Sequence, residues 1–123
     1  MVTDKELLEL IEEIDPYLPS SVKIIAVGGT AMTLQQLKTS TIDVDFDIPN
    51  HEEYEAFKRT LEKLGFQNIR PGASNLKVIA PNGIILDIFS KNYIFCVQLI
   101  EPVDSIEIKK YKKIELHAIN PYD

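Results

Sequence analysis

Val22-Lys23-Ile24-Ile25-Ala26-Val27-Gly28-Gly29-Thr30-Ala31-Met32, followed after a short spacer by Thr41-Ile42-Asp43-Val44-Asp45-Phe46-Asp47-Ile48, is the stretch on which the fold turns. Its first half is a β-branched run that stops at a glycine pair, which reads as a buried strand entering a tight turn. A helix is expected over residues 30–37, straight after the glycines. The second half alternates strictly, so Asp43, Asp45 and Asp47 face one side of a strand and Val44, Phe46 and Ile48 the other. Two acids at i and i+2 on a strand lie close enough to hold one cation. Their mutual repulsion makes a shared ion a natural reason for the arrangement. A solvent-facing polar edge gives the same pattern, and Asp47 reads as accessory or exposed. Glycines at a strand-to-helix turn let the backbone approach a ligand, and the N–H groups at the helix start favour phosphate. A purely structural turn accounts for them equally simply.

Upstream, Thr3 and Glu6 have capping-box spacing, and Leu7, Leu8, Ile11 and Ile14 recur at helical period until Pro16 and Pro19 end the helix. Downstream, Pro49-Asn50 breaks the acidic strand, and an amphipathic helix is expected over residues 52–64, closed by Gly65. Residues 66–70 read as a short strand before a Pro71-Gly72 turn. Residues 76–80 and 84–89 read as two strands around Pro81-Asn82-Gly83, a hairpin signal. Residues 93–99 and 106–116 supply further extended segments. Within Ile84-Ile85-Leu86-Asp87-Ile88-Phe89, Asp87 is a lone carboxylate among apolar residues, costly to bury without a cation, a hydrogen-bonding side chain or water.

The chain has 123 residues, enough for one domain with a real core and too few for two ordinary ones, so residues 1–123 read as a single domain. No apolar run approaches the roughly 18–20 residues that span a bilayer, and the acidic N-terminal region lacks the pattern of a signal peptide. A cytoplasmic, non-membrane protein is expected. The net charge of −6 argues against nucleic-acid binding driven by overall charge. Lys109-Lys110-Tyr111-Lys112-Lys113 is a local exception, either a solvated turn or a patch for a polyanion such as RNA. Cys96 lies in an apolar run and reads as an inert buried thiol. His51 and His117 read as surface histidines. Asn120-Pro121 pairs a helix cap with a first helical position, so the expectation is either a C-terminal helical part that continues past Asp123 or one that the protein has lost.

Together, Val27-Gly28-Gly29, Asp43-Val44-Asp45-Phe46 and Asp87 on a later apolar strand resemble the signature of the DNA polymerase beta-like nucleotidyltransferase superfamily. Gly28-Gly29-Thr30-Ala31-Met32 and Thr41-Ile42-Asp43-Val44-Asp45 are similar to the small bacterial and archaeal nucleotidyltransferases associated with abortive-infection toxins. The resemblance covers about residues 22–120. It implies an α/β (α+β) fold, a minimal nucleotidyltransferase architecture with a mixed sheet and helices mainly on one face. It implies Asp43, Asp45 and Asp87 as catalytic residues and as ligands of Mg2+ or Mn2+. It further implies Gly28, Gly29, Thr30 and Lys38 as the residues around the phosphates of a nucleoside triphosphate. A nucleoside monophosphate would pass to an acceptor hydroxyl on RNA, protein or a small molecule. Relatives commonly carry Arg where this chain has Thr39, with Lys38 one residue away. That departure opens the alternative of a catalytically degenerate module that binds a nucleotide or a partner protein.

Overall fold

Strand β1 (Val2–Thr3) leads into helix α1 (Asp4–Ile14), where Thr3 Oγ1 accepts from the Glu6 N–H at 3.3 Å and Glu6 Oε1 accepts from the Thr3 N–H at 3.2 Å. Both halves of the capping box are therefore closed. Leu7, Leu10, Ile11 and Ile14 form the buried stripe of α1, and a single 3-10 turn containing Pro16 ends it at Asp15–Tyr17. The computed structural model describes residues 1–37, 39–41, 44–71, 75–90 and 105–119, and the backbone of 93–94 and 97–98. Asp43, Lys38, Gly72, Cys96 and Asn120-Pro121 lie outside them.

The chain continues through β2 (Val22–Ala26), α2 (Gly28–Leu34), β3 (Ser40–Thr41), β4 (Val44–Ile48) and α3 (His51–Lys63). Then follow β5 (Gln67–Asn68), β6 (Leu76–Ile79), β7 (Ile85–Ser90), β8 (Tyr93–Ile94), β9 (Val97–Gln98), β10 (Ser105–Lys110) and β11 (Ile114–Ile119). Helix α2 begins two residues earlier than the glycine reading expects and ends three residues sooner. Gly28 enters it at φ +57°, a left-handed value that a glycine adopts without strain, and Gln36 at φ +62° turns the chain out of it. The expected hairpin is present: β6 and β7 pair antiparallel, with Gly83 at φ +93° in the turn. Residues 106–116 divide into two strands, and the lysine-rich segment spans the end of β10 and the β10–β11 turn, with Lys109, Lys110 and Lys112 exposed.

A seven-stranded mixed sheet runs in the order β10-β11-β2-β4-β7-β6-β5. The β11–β2 and β4–β7 contacts are parallel; the others are antiparallel. Val22, Ile24 and Ala26 of β2, Val44, Phe46 and Ile48 of β4, Leu86 and Ile88 of β7, and Ile114, Leu116 and Ala118 of β11 share one face. The same cluster contains the buried stripes of α1, α2 and α3, so all three helices cover that face. Burial of this apolar surface is the main favourable term of the fold. Asp15 closes the base: Oδ1, on a side chain 5% exposed, accepts the backbone N–H of Lys113 and of Ile114, each at 2.7 Å. The opposite sheet face carries Lys23, Asp45, Asp47, Lys77, Asp87, Glu115 and His117. Among the described residues no helix is long and apolar enough to cross a membrane.

Candidate metal and nucleotide site

Asp45 and Asp87 are register partners on the parallel strands β4 and β7. Bridge partners project to the same face, and neighbouring strands lie about 4.8 Å apart, so the two carboxylates start from adjacent backbone positions. The strict alternation of β4 sends Val44 and Phe46 into the helix-covered core and leaves Asp45 half-buried on the other side. Asp43 and Lys38 fall outside the described residues.

The strand-to-helix turn grips Asp45 from both sides. Its backbone N–H donates to Thr30 Oγ1 at 2.9 Å, and its carbonyl accepts from the Val27 N–H at 3.1 Å. Thr30 is fully buried, so its hydroxyl serves the acidic strand. Sequence reading places Thr30 beside phosphate and does not find this positioning contact. The only available signal is a β-branched hydroxyl residue directly after the glycine pair. Gly28 and Gly29 open α2 immediately beyond Val27, at the same end of the sheet as Asp45.

Asp87 is held from β6 and the loop before it. Asn75 Nδ2 donates to Asp87 Oδ1 at 3.2 Å, and Lys77 Nζ lies 3.8 Å from Oδ2. Lys77 and Asp87 are direct cross-strand partners, with side chains 24% and 13% exposed. A carboxylate so placed among apolar neighbours requires such partners. Asp47 differs from its expected exposed position. It is fully buried, opposite Ile25 on β2 and Phe89 on β7, both also buried. Whatever covers that part of the face is invisible to local alternation. Carboxylate oxygens are hard donors, the chemistry that Mg2+ and Mn2+ take.

A second group stands elsewhere on the face. Glu107 and His117 are cross-strand partners, and with Glu115 their ligand atoms all lie within 4.8 Å of one another. His117 Nε2 lies 3.0 Å from Glu115 Oε1, and Nδ1 lies 3.1 Å from Ser105 Oγ. The His117 hydrogen bond is the first cause of a Glu115 pKa below its ordinary value, with the charges of His117, Lys110 and Lys23 adding to it. Contrary to the surface reading, His117 is buried, on a strand flanked by β10 and β2 with Ser105 and Glu115 side chains against its ring. Strand β2 separates this group from β4, so it shares no residue with the aspartate pair. His51 is exposed as expected, 3.7 Å from Glu55 and stacked on Tyr54.

No protein-family model matches the sequence, and no curated protein matches it. Among solved structures, the chain is similar to a candidate nucleotidyltransferase from Thermotoga maritima, with a TM-score of 0.64 and 16% identity. The likeness covers 99% of this chain and 81% of that one. The two share a fold. A looser overlap, with a TM-score of 0.43 and 16% identity, is with MenT4, a nucleotidyltransferase toxin from Mycobacterium tuberculosis H37Rv. It takes in 88% of this chain and 43% of the toxin. At this level of identity the Thermotoga likeness concerns architecture: a mixed sheet with three helices on one face, consistent with a minimal nucleotidyltransferase fold.

Proposed function

We propose that residues 1–123 form a single nucleotidyltransferase domain that moves a nucleoside monophosphate from a nucleoside triphosphate to an acceptor hydroxyl. The observation that carries this reading is the in-register placement of Asp45 and Asp87 on adjacent parallel strands, beside the Val27-Gly28-Gly29-Thr30 turn. Asp45 and Asp87, with Asp43, would hold Mg2+ or Mn2+. Bound there, such an ion neutralises triphosphate charge and lowers the pKa of the acceptor hydroxyl. Asp87 accepts the acceptor's proton as the new oxygen–phosphorus bond forms and pyrophosphate leaves. Asn75, donating to Oδ1, fixes which oxygen of Asp87 remains for that work. Thr30 and Val27 hold the backbone of Asp45 so that its carboxylate does not drift. Gly28 and Gly29 allow the phosphates to approach the start of α2, and Lys38 lies in the segment between that helix and the acidic strand. The acceptor class is RNA, protein or a small molecule.

The test is a calorimetric titration with ATP, CTP, GTP and UTP, with and without Mg2+, on the wild type and Asp45→Asn. Three acids repel a triphosphate in the absence of a dication, so binding should require Mg2+ and weaken in the variant. Binding that ignores both would remove the reading. Mg2+-dependent binding without transfer to any acceptor would assign the domain as a nucleotide-binding module, with Thr39 the first position to examine.

A further inference from the structure

Lys77 occupies a position that the nucleotidyltransferase reading leaves without a role. It faces Asp87 directly across the β6–β7 ladder, and its Nζ stands 3.8 Å from Oδ2, the oxygen that Asn75 does not engage. At that distance the contact is an ion pair without a direct hydrogen bond. Its side chain is 24% exposed, so the aliphatic stem is largely covered by neighbours. On the strands that flank Asp87, the described charged groups sharing its face are Asp45 and Asp47 on β4 and Lys77 on β6.

Resting on that reading, we infer that Lys77 is an exchangeable counter-ion, neutralising Asp87 in the empty site and transferring its ammonium to the triphosphate when the metal–nucleotide complex binds. Metal ion and ammonium compete for the same carboxylate. A dication on the Asp87 carboxylate and an ammonium 3.8 Å from it repel each other, so metal binding must displace Lys77. The lysine can answer this because its ammonium is a point charge on a flexible stem with rotatable donors. The incoming triphosphate supplies the new anionic partner. Metal alone therefore meets a competitor, whereas metal with triphosphate gives the competitor somewhere to go. The consequence is positive coupling between metal and nucleotide, equal in both directions. It also provides a cation near the phosphates where the resemblance leads one to expect an arginine and the chain has Thr39.

The experiment measures free Mn2+ by electron paramagnetic resonance in titrations of the full chain. Titrations are made with and without the ATP analogue that carries a methylene bridge between its α and β phosphates. The Mn2+ bound by the wild type but lost in Asp87→Asn is the quantity followed, which separates this site from Glu107, Glu115 and His117. In the wild type the analogue should tighten that Mn2+ binding. Lys77→Met should bind Mn2+ alone about three- to five-fold more tightly, as removal of one partly exposed competing charge allows. It should also lose most of the tightening by the analogue, and Lys77→Arg should keep it. Equal Mn2+ affinity in the wild type with and without the analogue would overturn the inference, and that measurement needs no variant to fold. Unchanged or weaker Mn2+ binding in Lys77→Met, with binding still abolished in Asp87→Asn, would overturn the inference and leave the site reading standing. Mn2+ binding that survives both Asp45→Asn and Asp87→Asn would remove the site reading, and the inference with it.

Discussion

Replacing Thr30 with valine removes the buried hydroxyl that holds Asp45 while leaving volume and β-branching nearly unchanged. The Thr30 hydroxyl accepts the Asp45 N–H at 2.9 Å from a fully buried side chain. A net intramolecular hydrogen bond is worth about 1 kcal/mol, and a buried donor left unsatisfied costs about 1–3 kcal/mol. Helix propensity contributes almost nothing, since threonine and valine rank together. The expected loss is therefore about 1–3 kcal/mol, the range set by how well the stranded N–H finds another acceptor. For a chain of this size each kcal/mol corresponds to roughly 4 °C in Tm. Urea unfolding followed by circular dichroism gives the free energy, and the Mn2+ titration reports whether Asp45 has moved. Thr30→Ser is the control. It keeps the hydroxyl and gives up one methyl group, at a cost of about 1 kcal/mol, and should leave metal binding intact. A Thr30→Val protein within about 0.5 kcal/mol of wild type, the range of an ordinary surface change, would refute the positioning role.

Other expectations follow from contacts further from the acids. Asp15→Ala should lose about 3 kcal/mol in denaturant unfolding, because two buried backbone donors lose one charged acceptor at once, while Asp15→Asn should lose less. Gly28→Ala should cost about 1–2 kcal/mol in the same assay, since Gly28 sits at φ +57° where a Cβ is disfavoured. The Glu115 pKa is lowered in the fold, so its contribution to stability is complete above about 4.5 and is lost as pH falls through the lower folded value. Carbon-13 NMR titration of Glu115 should show a pKa that rises in His117→Ala. A value that stays put would mean the hydrogen bond is not its cause.

Much of this architecture was readable where the pattern is local. The capping box at Thr3 and Glu6, the alternation through Asp45 and Phe46, and the Pro81-Asn82-Gly83 turn each act over a few residues, so sequence spacing reports them. The juxtaposition of Asp45 and Asp87 follows from two local readings plus the single non-local fact that β4 and β7 are neighbours. What escaped sequence reading depends on more distant chain. The insertion of β11 between β10 and β2 buries His117, and the covered condition of Asp47 depends on more than β4's own alternation. The start of α2 moved because Gly28 can turn left-handed and enter the helix, where sequence spacing treats the pair as a separate turn. The Thr30–Asp45 contact is non-local in the same way, since the sequence neighbourhood of Thr30 does not disclose that its hydroxyl meets the Asp45 N–H.

The most direct measurement of the central claim is the anomalous difference map of a crystal of the full chain soaked in Mn2+. One strong peak is expected within reach of both the Asp45 and Asp87 carboxylates, at the roughly 2.0–2.2 Å of hard oxygen ligands, with Lys77 Nζ farther from Asp87 than 3.8 Å. A peak seated only among Glu107, Glu115 and His117, with Asp45 and Asp87 bare, would contradict it.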